Sequence, residues 1–165
     1  MDFQDEFQQS KKKLTPAEAL SKIYKYCAYQ ERSHLEVKRK LYSYQLYTSE
    51  VDELLSRLIT EGFLNEERYA KAFAGGKFRI KKWGRNKILH QLEAQGLTKR
   101  CIESGLKELD SSSYHRTLTD ILEKKSSQVI ELNLFKKRDK VARFAIYKGY
   151  EAELVWKLVK DIVLK

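Results

Sequence analysis

The sequence predicts an all-α protein made of three tandem three-helix repeats. Three observations support this class. Apolar residues recur with a helical period along most of the chain, only one proline and seven glycines occur in 165 residues, and the apolar positions repeat at intervals of about 50 residues. Strict alternation of apolar and polar residues, which would indicate β-strands, is not sustained anywhere.

Short polar residues stand directly before several of the periodic segments and mark helix starts. The candidate N-cap residues are Thr15, Ser33, Ser49 and Asn65, the first three of them within capping-box patterns. Glycine readily adopts the left-handed conformation that ends many helices, and it stands at three predicted ends: Gly62, Gly96 and Gly149. The nine predicted helices span residues 16–29, 34–44, 49–61, 66–80, 84–95, 99–109, 113–131, 136–148 and 151–164.

The apolar skeleton of residues 41–58 recurs twice, after shifts of 51 and then 53 residues. The matched positions are Leu41, Leu46, Val51, Leu55 and Leu58; Leu92, Leu97, Ile102, Leu106 and Leu109; and Ala145, Tyr150, Val155, Val159 and Ile162. We therefore predict a flexible tail over 1–13 and repeats over 14–64, 65–111 and 112–165. One repeat is too small to bury much surface, so neighbouring copies should pack in series. A nine-helix globule with accidental register is the alternative.

Composition excludes several protein classes. Two separate cysteines, Cys27 and Cys101, cannot form a disulfide scaffold and indicate a reducing compartment. No apolar run approaches the roughly 18 residues of a membrane span, and the acidic N-terminus is unlike a signal peptide. We expect a cytoplasmic protein that does not contact membranes. Its formal charge of +10 favours acidic partners, with nucleic acid the first candidate.

Residue patterns for catalysis, cofactors and metals are missing from the sequence. It has no glycine-rich phosphate loop, no CxxC and no HExxH, and its three histidines are scattered. Six acids between residues 50 and 67 suggest a helical nuclease as the weakest hypothesis, but four of them fall in first helical turns, where they favour the helix dipole. We predict a protein that is not an enzyme, with no catalytic, cofactor or metal site.

Lysine and arginine concentrate in two stretches. Residues 77–107 carry nine against two acids, and residues 124–148 carry eight against two. The second helix of each proposed repeat is basic, so packing in series would align these helices into a ribbon that suits a phosphate backbone or an acidic protein groove. An ordinary solvated surface is the alternative. The candidate binding residues are Lys77, Arg79, Lys81, Lys82, Arg85, Lys87, Lys136, Lys137, Arg138, Lys140 and Arg143.

Two segments resemble a known family. Residues 62–73, GFLNEERYAKAF, and residues 83–97, WGRNKILHQLEAQGL, resemble the junction motif and the second-repeat helix of the RecX family, regulatory proteins that modulate the RecA recombinase. The entry SHLE at 33–36 resembles the first-repeat helix. The resemblance covers residues 16 to about 110. The third repeat is placed mainly by the register of its apolar positions. Within the junction motif we expect structural roles for Gly62, Phe63, Leu64, Asn65, Arg68 and Tyr69.

The resemblance implies an elongated, curved helical module without a cofactor. Such a module binds RecA filaments on single-stranded DNA and restrains strand exchange, ATP hydrolysis and cleavage of the SOS repressor. These roles belong to DNA repair, homologous recombination and the SOS response. We also expect a monomer that binds single- or double-stranded DNA without sequence preference. Gln45 stands where the family commonly has glycine, which predicts a differently built turn. A general architectural protein that competes for DNA is the alternative.

Overall fold

The computed structural model describes residues 12–164, and this part of the chain folds into nine α-helices and one π-helical turn. The predicted tail therefore lies outside the described residues except for Lys12 and Lys13. The helices are α1 (Pro16–Tyr29), α2 (His34–Ser43), α3 (Thr48–Thr60), α4 (Glu66–Gly76), α5 (Arg85–Ala94), α6 (Lys99–Leu106), α7 (Ser111–Gln128), α8 (Leu134–Tyr147) and α9 (Ala152–Ile162), with the π-helical turn at Lys77–Lys81.

Polar caps begin the first two helices as the sequence predicts. The Thr15 hydroxyl accepts a hydrogen bond from the Glu18 N–H at 3.2 Å. Ser33 and Glu36 form a complete capping box, in which the Ser33 hydroxyl accepts from the Glu36 N–H at 3.0 Å and the Glu36 carboxylate accepts from the Ser33 N–H at 2.8 Å. The third predicted box is wrong. Helix α3 begins at Thr48 after an extended Tyr47, so Ser49 is already inside the helix.

Left-handed residues end three helices at the predicted glycines. Gly62, Gly96 and Gly149 have φ angles of 78°, 75° and 103°. Gln45 has a φ of 62° at the end of α2, so it adopts this conformation without being glycine. The side chain costs about 1 kcal/mol that glycine would not, and the expectation of a differently built turn stays a prediction.

The helix predicted over 66–80 changes form before it ends. Helix α4 stops at Gly76, the π-helical turn follows, and Lys82 closes the segment in the left-handed conformation with a φ of 58°. The Lys82 N–H donates to the Phe78 carbonyl oxygen at 3.1 Å, and the Trp83 N–H donates to the Lys77 carbonyl oxygen at 3.3 Å. The Gly75-Gly76 pair precedes this change of winding, which places Lys82 and Trp83 outside the helix.

The chain divides into two compact units, an N-terminal unit of residues 1–66 and a C-terminal unit of residues 67–165. The N-terminal unit holds α1 to α3 around its own apolar core. In the C-terminal unit, α4 to α9 share a single core. The all-α class and the tandem three-helix repeats are confirmed, since residues 12–164 form helices and no strand, and the matched positions Leu41, Leu92 and Ala145 are all completely buried. The repeat boundaries and the elongated, curved shape stay predictions.

Two glycines bring α5 and α8 together inside the C-terminal unit. The Gly84 N–H donates to the Lys148 carbonyl oxygen at 2.8 Å, and the Asn86 N–H donates to the Gly149 carbonyl oxygen at 2.9 Å. A Cβ atom on Gly84 would overlap the carbonyl group of Gly149, so only glycine allows this approach. As a result, the start of α5 and the end of α8 form one continuous surface.

Candidate functional site

The positive charge of the protein lies in the C-terminal unit. Residues 67–165 contain 23 Lys and Arg against 12 Asp and Glu, a formal net charge of +11. Residues 1–66 contain 10 against 11, a net charge of −1. The C-terminal unit is therefore the part of the protein whose charge suits acidic partners.

A row of lysines and aromatic rings crosses the contact between α5 and α8. The Trp83 ring has the Lys77 ammonium 5.1 Å from its centroid and the Lys87 ammonium 4.6 Å from it. Lys87 also lies 5.0 Å from the Tyr147 ring centroid. Burial, with a smaller contribution from nearby Lys87, lowers the pKa of Lys148. Positive charge is therefore concentrated where these two helices meet.

A groove of about 450 Å³ lies beside this row. Four lysines line it, together with Phe144, Ile121 and the carboxylate of Asp120: Lys82, Lys124, Lys125 and Lys148. The Lys125 and Lys148 ammonium groups lie 4.4 Å and 5.7 Å from the Phe144 ring centroid. Among residues 12–164, no carboxylate lies within 4 Å of these four ammonium groups. The groove therefore offers cations for phosphate or carboxylate groups and an aromatic ring for a flat apolar group.

We call the row and the groove together the lysine–aromatic surface. It consists of Lys77, Lys82, Trp83, Lys87, Lys124, Lys125, Phe144, Tyr147 and Lys148. Three of the eleven predicted binding residues belong to it, namely Lys77, Lys82 and Lys87.

Arg85 is held by an internal network. Its guanidinium carbon lies 3.9 Å from the Tyr114 ring centroid, and its Nη1 lies 3.3 Å from the Glu151 carboxylate. The Tyr114 hydroxyl donates to Glu151 at 2.6 Å and accepts from the Arg85 N–H at 3.0 Å. Burial is the main cause that raises the pKa of Tyr114, and the hydrogen bond to Glu151 adds to it, so the phenol stays protonated. Arg85 therefore joins α5 to α7 and to the residue before α9.

Three predicted residues of α8 also have internal partners. Arg138 donates to the carbonyl oxygens of Val163 at 2.9 Å and Lys160 at 3.4 Å, which caps the end of α9. Lys140 pairs with Glu131 at 3.1 Å, and Arg143 pairs with Asp139 at 2.7 Å. Lys140 and Arg143 remain exposed beside these carboxylates, whereas Arg138 is half-buried.

The other predicted cations lie at the surface. Arg79 and Lys81 are exposed on the π-helical turn, and the Arg79 guanidinium folds back towards Gly75, where a Cβ atom would lie 2.9 Å from its Nη1. Lys136 is exposed and Lys137 is half-buried in the first turn of α8. A binding role for these residues stays a prediction.

The prediction missed Lys124, Lys125, Phe144 and Lys148 as site residues. They come from α7 and from the end of α8, so no single helix of the sequence contains the groove. One signal was present. Phe144 and Lys148 are four residues apart, and this spacing places two side chains side by side on a helix.

The predicted junction residues divide between the two units. Phe63 packs on Tyr24 with ring centroids 4.7 Å apart, and Leu64 is buried in the N-terminal core. Tyr69 is buried in the C-terminal core and lies 5.8 Å from the Phe73 ring. Asn65 and Arg68 are exposed. The left-handed Gly62 lies in the turn after α3. A role of these residues in repeat packing stays a prediction.

Residues 12–164 contain no group of three or more His, Cys, Asp and Glu side chains placed to hold a metal ion. No helix of the same range has the length and apolar character needed to cross a membrane.

Comparisons with known proteins bear on this fold and this surface. Residues 65–106 match the model of the second three-helix domain of RecX, and residues 113–159 match that of the third. These two segments contain every residue of the lysine–aromatic surface.

Curated relatives cover most of the chain. Regulatory protein RecX of Clostridium beijerinckii is 28% identical over 134 residues, which are 80% of this chain and 62% of that protein. Regulatory protein RecX of Pseudomonas savastanoi pv. phaseolicola is 27% identical over 132 residues, which are 80% of this chain and 83% of that protein. This chain therefore spans less than two thirds of the Clostridium relative.

A solved structure agrees with these relatives in fold. A crystal structure of regulatory protein RecX superposes with a TM-score of 0.77 at 19% identity, covering 88% of this chain and 71% of that one. Family models, relatives and fold therefore agree, and the chain belongs to the RecX family.

Proposed function

We propose that this protein regulates the RecA recombinase, mainly as an inhibitor, by binding the RecA filament on single-stranded DNA. The lysine–aromatic surface of the C-terminal unit is the observation that carries the proposal. Its four groove lysines have no carboxylate within 4 Å among residues 12–164, so they are available to an acidic partner. Family membership supports a regulatory role.

Lysine–phosphate contacts explain how such a surface binds without reading sequence. Each ammonium that neutralises a phosphate releases a counterion. The binding free energy gained from this release does not depend on the base sequence. The exposed Tyr147 ring and the half-buried Trp83 and Lys87 side chains offer stacking and charge together. We propose that the protein acts as a monomer in the cytoplasm, within DNA repair, homologous recombination and the SOS response.

A titration of RecA ATPase activity on single-stranded DNA tests the function directly. The protein is added from sub-stoichiometric to equimolar ratios at constant RecA and DNA. We expect ATP hydrolysis to fall as the protein is added. Unchanged hydrolysis at an equimolar ratio would contradict the proposed inhibition.

A general architectural DNA-binding protein is the second candidate, because the same surface suits naked DNA. The salt dependence of binding distinguishes the two candidate functions. About six neutralised phosphates would reduce affinity for naked DNA by roughly a thousandfold between 50 and 200 mM salt. A recombinase-directed protein should remain on filaments at a salt concentration that has released it from naked DNA. Equal release from filaments and from naked DNA would favour the architectural protein.

A further inference from the structure

The connection between α7 and α8 projects large apolar side chains into solvent. Ile130 and Leu132 are 96% and 102% exposed, and Phe135 in the first turn of α8 is 79% exposed. Their neighbours Val129 and Leu134 pack against the core of the C-terminal unit. The segment is therefore fixed to the core at two points and presents three apolar side chains outwards.

Polar contacts hold this connection in one shape. The Glu131 carboxylate accepts from the Asn133 N–H at 3.1 Å and from the Lys140 ammonium at 3.1 Å. The Asn133 side-chain oxygen accepts from the Lys136 N–H at 3.1 Å and caps α8. These contacts with Asn133 and Lys140 lower the pKa of Glu131 and keep it charged. The loop is therefore ordered before a partner binds, which reduces the entropy cost of binding.

Three large apolar side chains are exposed within six residues of the chain, and we refer to this group as the patch. Single exposed apolar residues are common on protein surfaces, whereas groups of them mark binding sites. Rigid apolar anchors that fill a pocket supply much of the affinity of protein interfaces. None of the eleven predicted binding residues belongs to this patch, and the lysine–aromatic surface does not include it.

The chemistry of the patch favours a protein as its partner. Two of its three side chains, Ile130 and Leu132, have no aromatic face to stack on bases, and they gain little from a phosphate backbone. An apolar protein pocket does bury them. The exposed Lys136 follows Phe135 directly, within a unit that carries a formal net charge of +11. A pocket with carboxylates around its edge therefore complements the loop.

We propose that Ile130, Leu132 and Phe135 form an apolar anchor that inserts into an acid-rimmed pocket on a protein partner. This proposal rests on the proposed function, which makes the partner the RecA filament. The anchor and the lysine–aromatic surface then have different roles in binding. The lysines attract the acidic filament, and the anchor supplies affinity that salt does not screen.

Filament binding by serine variants of the full chain tests the anchor. The test variant combines Ile130→Ser, Leu132→Ser and Phe135→Ser. The control combines Tyr29→Ser, Ile59→Ser and Leu164→Ser, which removes three exposed apolar side chains that are far apart in the sequence. Circular dichroism and thermal melting verify that both variants fold. Dissociation constants for RecA filaments on single-stranded DNA are measured at 50 and 300 mM salt.

We expect the test variant to bind filaments about tenfold more weakly than the parent at both salt concentrations, while the control stays within about twofold. Equal binding by the parent and the folded test variant would overturn the anchor but leave the proposed function intact. A parent that does not bind filaments at all would overturn the proposed function and this assignment of the partner. Parent binding to anionic phospholipid vesicles that the test variant loses would also overturn the anchor, in favour of a lipid surface.

Discussion

Both compact units are built from three-helix repeats, one in the N-terminal unit and two in the C-terminal unit, but the units differ in charge. The N-terminal unit carries a formal net charge of −1, and the C-terminal unit carries +11. Both place cations over aromatic rings: Lys13 lies 3.4 Å from the Tyr47 ring centroid in one, and Lys87 lies 4.6 Å from that of Trp83 in the other. Cation–π pairs are therefore common to both units.

The excess of lysine distinguishes the C-terminal unit. The N-terminal unit folds around its own core with a net charge near zero, so a three-helix repeat does not require a positive surface. Under the proposed function, the groove lysines are present for a partner rather than for stability. Like charges repel one another, so removing some of them should weaken binding without unfolding the protein. The variants below test this division between residues that hold the fold and residues that bind.

Gly84→Ala should have the largest effect on stability. Its Cβ atom would overlap the backbone of Gly149, so we expect the C-terminal unit to lose about 3 kcal/mol of unfolding free energy. Hydrogen exchange of the full chain checks this, with faster exchange in α4 to α9 and unchanged exchange in α1 to α3. Equal loss of protection in both units would contradict it. Gly76→Ala is the control, because a Cβ there meets nothing within 4 Å, and it should stabilise by about 0.5 kcal/mol.

Tyr114→Phe should have the next largest effect. The hydroxyl donates to Glu151 and accepts from the Arg85 N–H, and its loss leaves both groups without that partner in a half-buried site. We expect a loss of about 2 kcal/mol, measured by urea unfolding of the full chain. Tyr150→Phe is the matched comparison, since its hydroxyl makes one hydrogen bond, to the Lys82 carbonyl oxygen at 2.9 Å, and should cost about 1 kcal/mol. A smaller loss for Tyr114→Phe than for Tyr150→Phe would disprove the network.

Ser33→Ala should have the smallest effect, confined to the N-terminal unit. It removes the hydroxyl of the capping box at the start of α2, and we expect a loss of about 1 kcal/mol. Hydrogen exchange should show faster opening of α2 and no change in α7 to α9. Ser33→Asp, which retains a capping oxygen, should recover much of the stability. Failure of aspartate to do so would mean that the buried position of Ser33, rather than its cap, determines the cost.

Local signals made most of the helices predictable from sequence. Thr15 and Ser33 begin helices by hydrogen bonds to residues three positions away, and Gly62 and Gly96 end them by their own backbone conformation. These interactions lie within a few residues of one another. The π-helical turn at Lys77–Lys81 escaped prediction, because the apolar spacing continued through it and gave no sign of the change in winding.

The site was only partly predictable, because composition does not reveal which cations have internal partners. Arg85 pairs with Glu151, which is 66 residues away, and Arg138 caps a helix end 25 residues away. Both were counted as binding residues. Lys124 and Lys148 meet across one groove, although they belong to different helices. Such long-range contacts depend on packing, which residue counts along the chain cannot supply.

Filament binding by two charge variants tests the central claim most directly. One variant combines Lys82→Gln, Lys124→Gln and Lys125→Gln in the groove. The other combines Lys22→Gln, Lys25→Gln and Lys38→Gln, which are exposed lysines of the N-terminal unit. At 50 mM salt we predict that the groove variant binds RecA filaments about a hundredfold more weakly, with a shallower salt dependence, while the N-terminal variant changes by about twofold. Equal losses for the two variants, or a greater loss for the N-terminal one, would contradict the account.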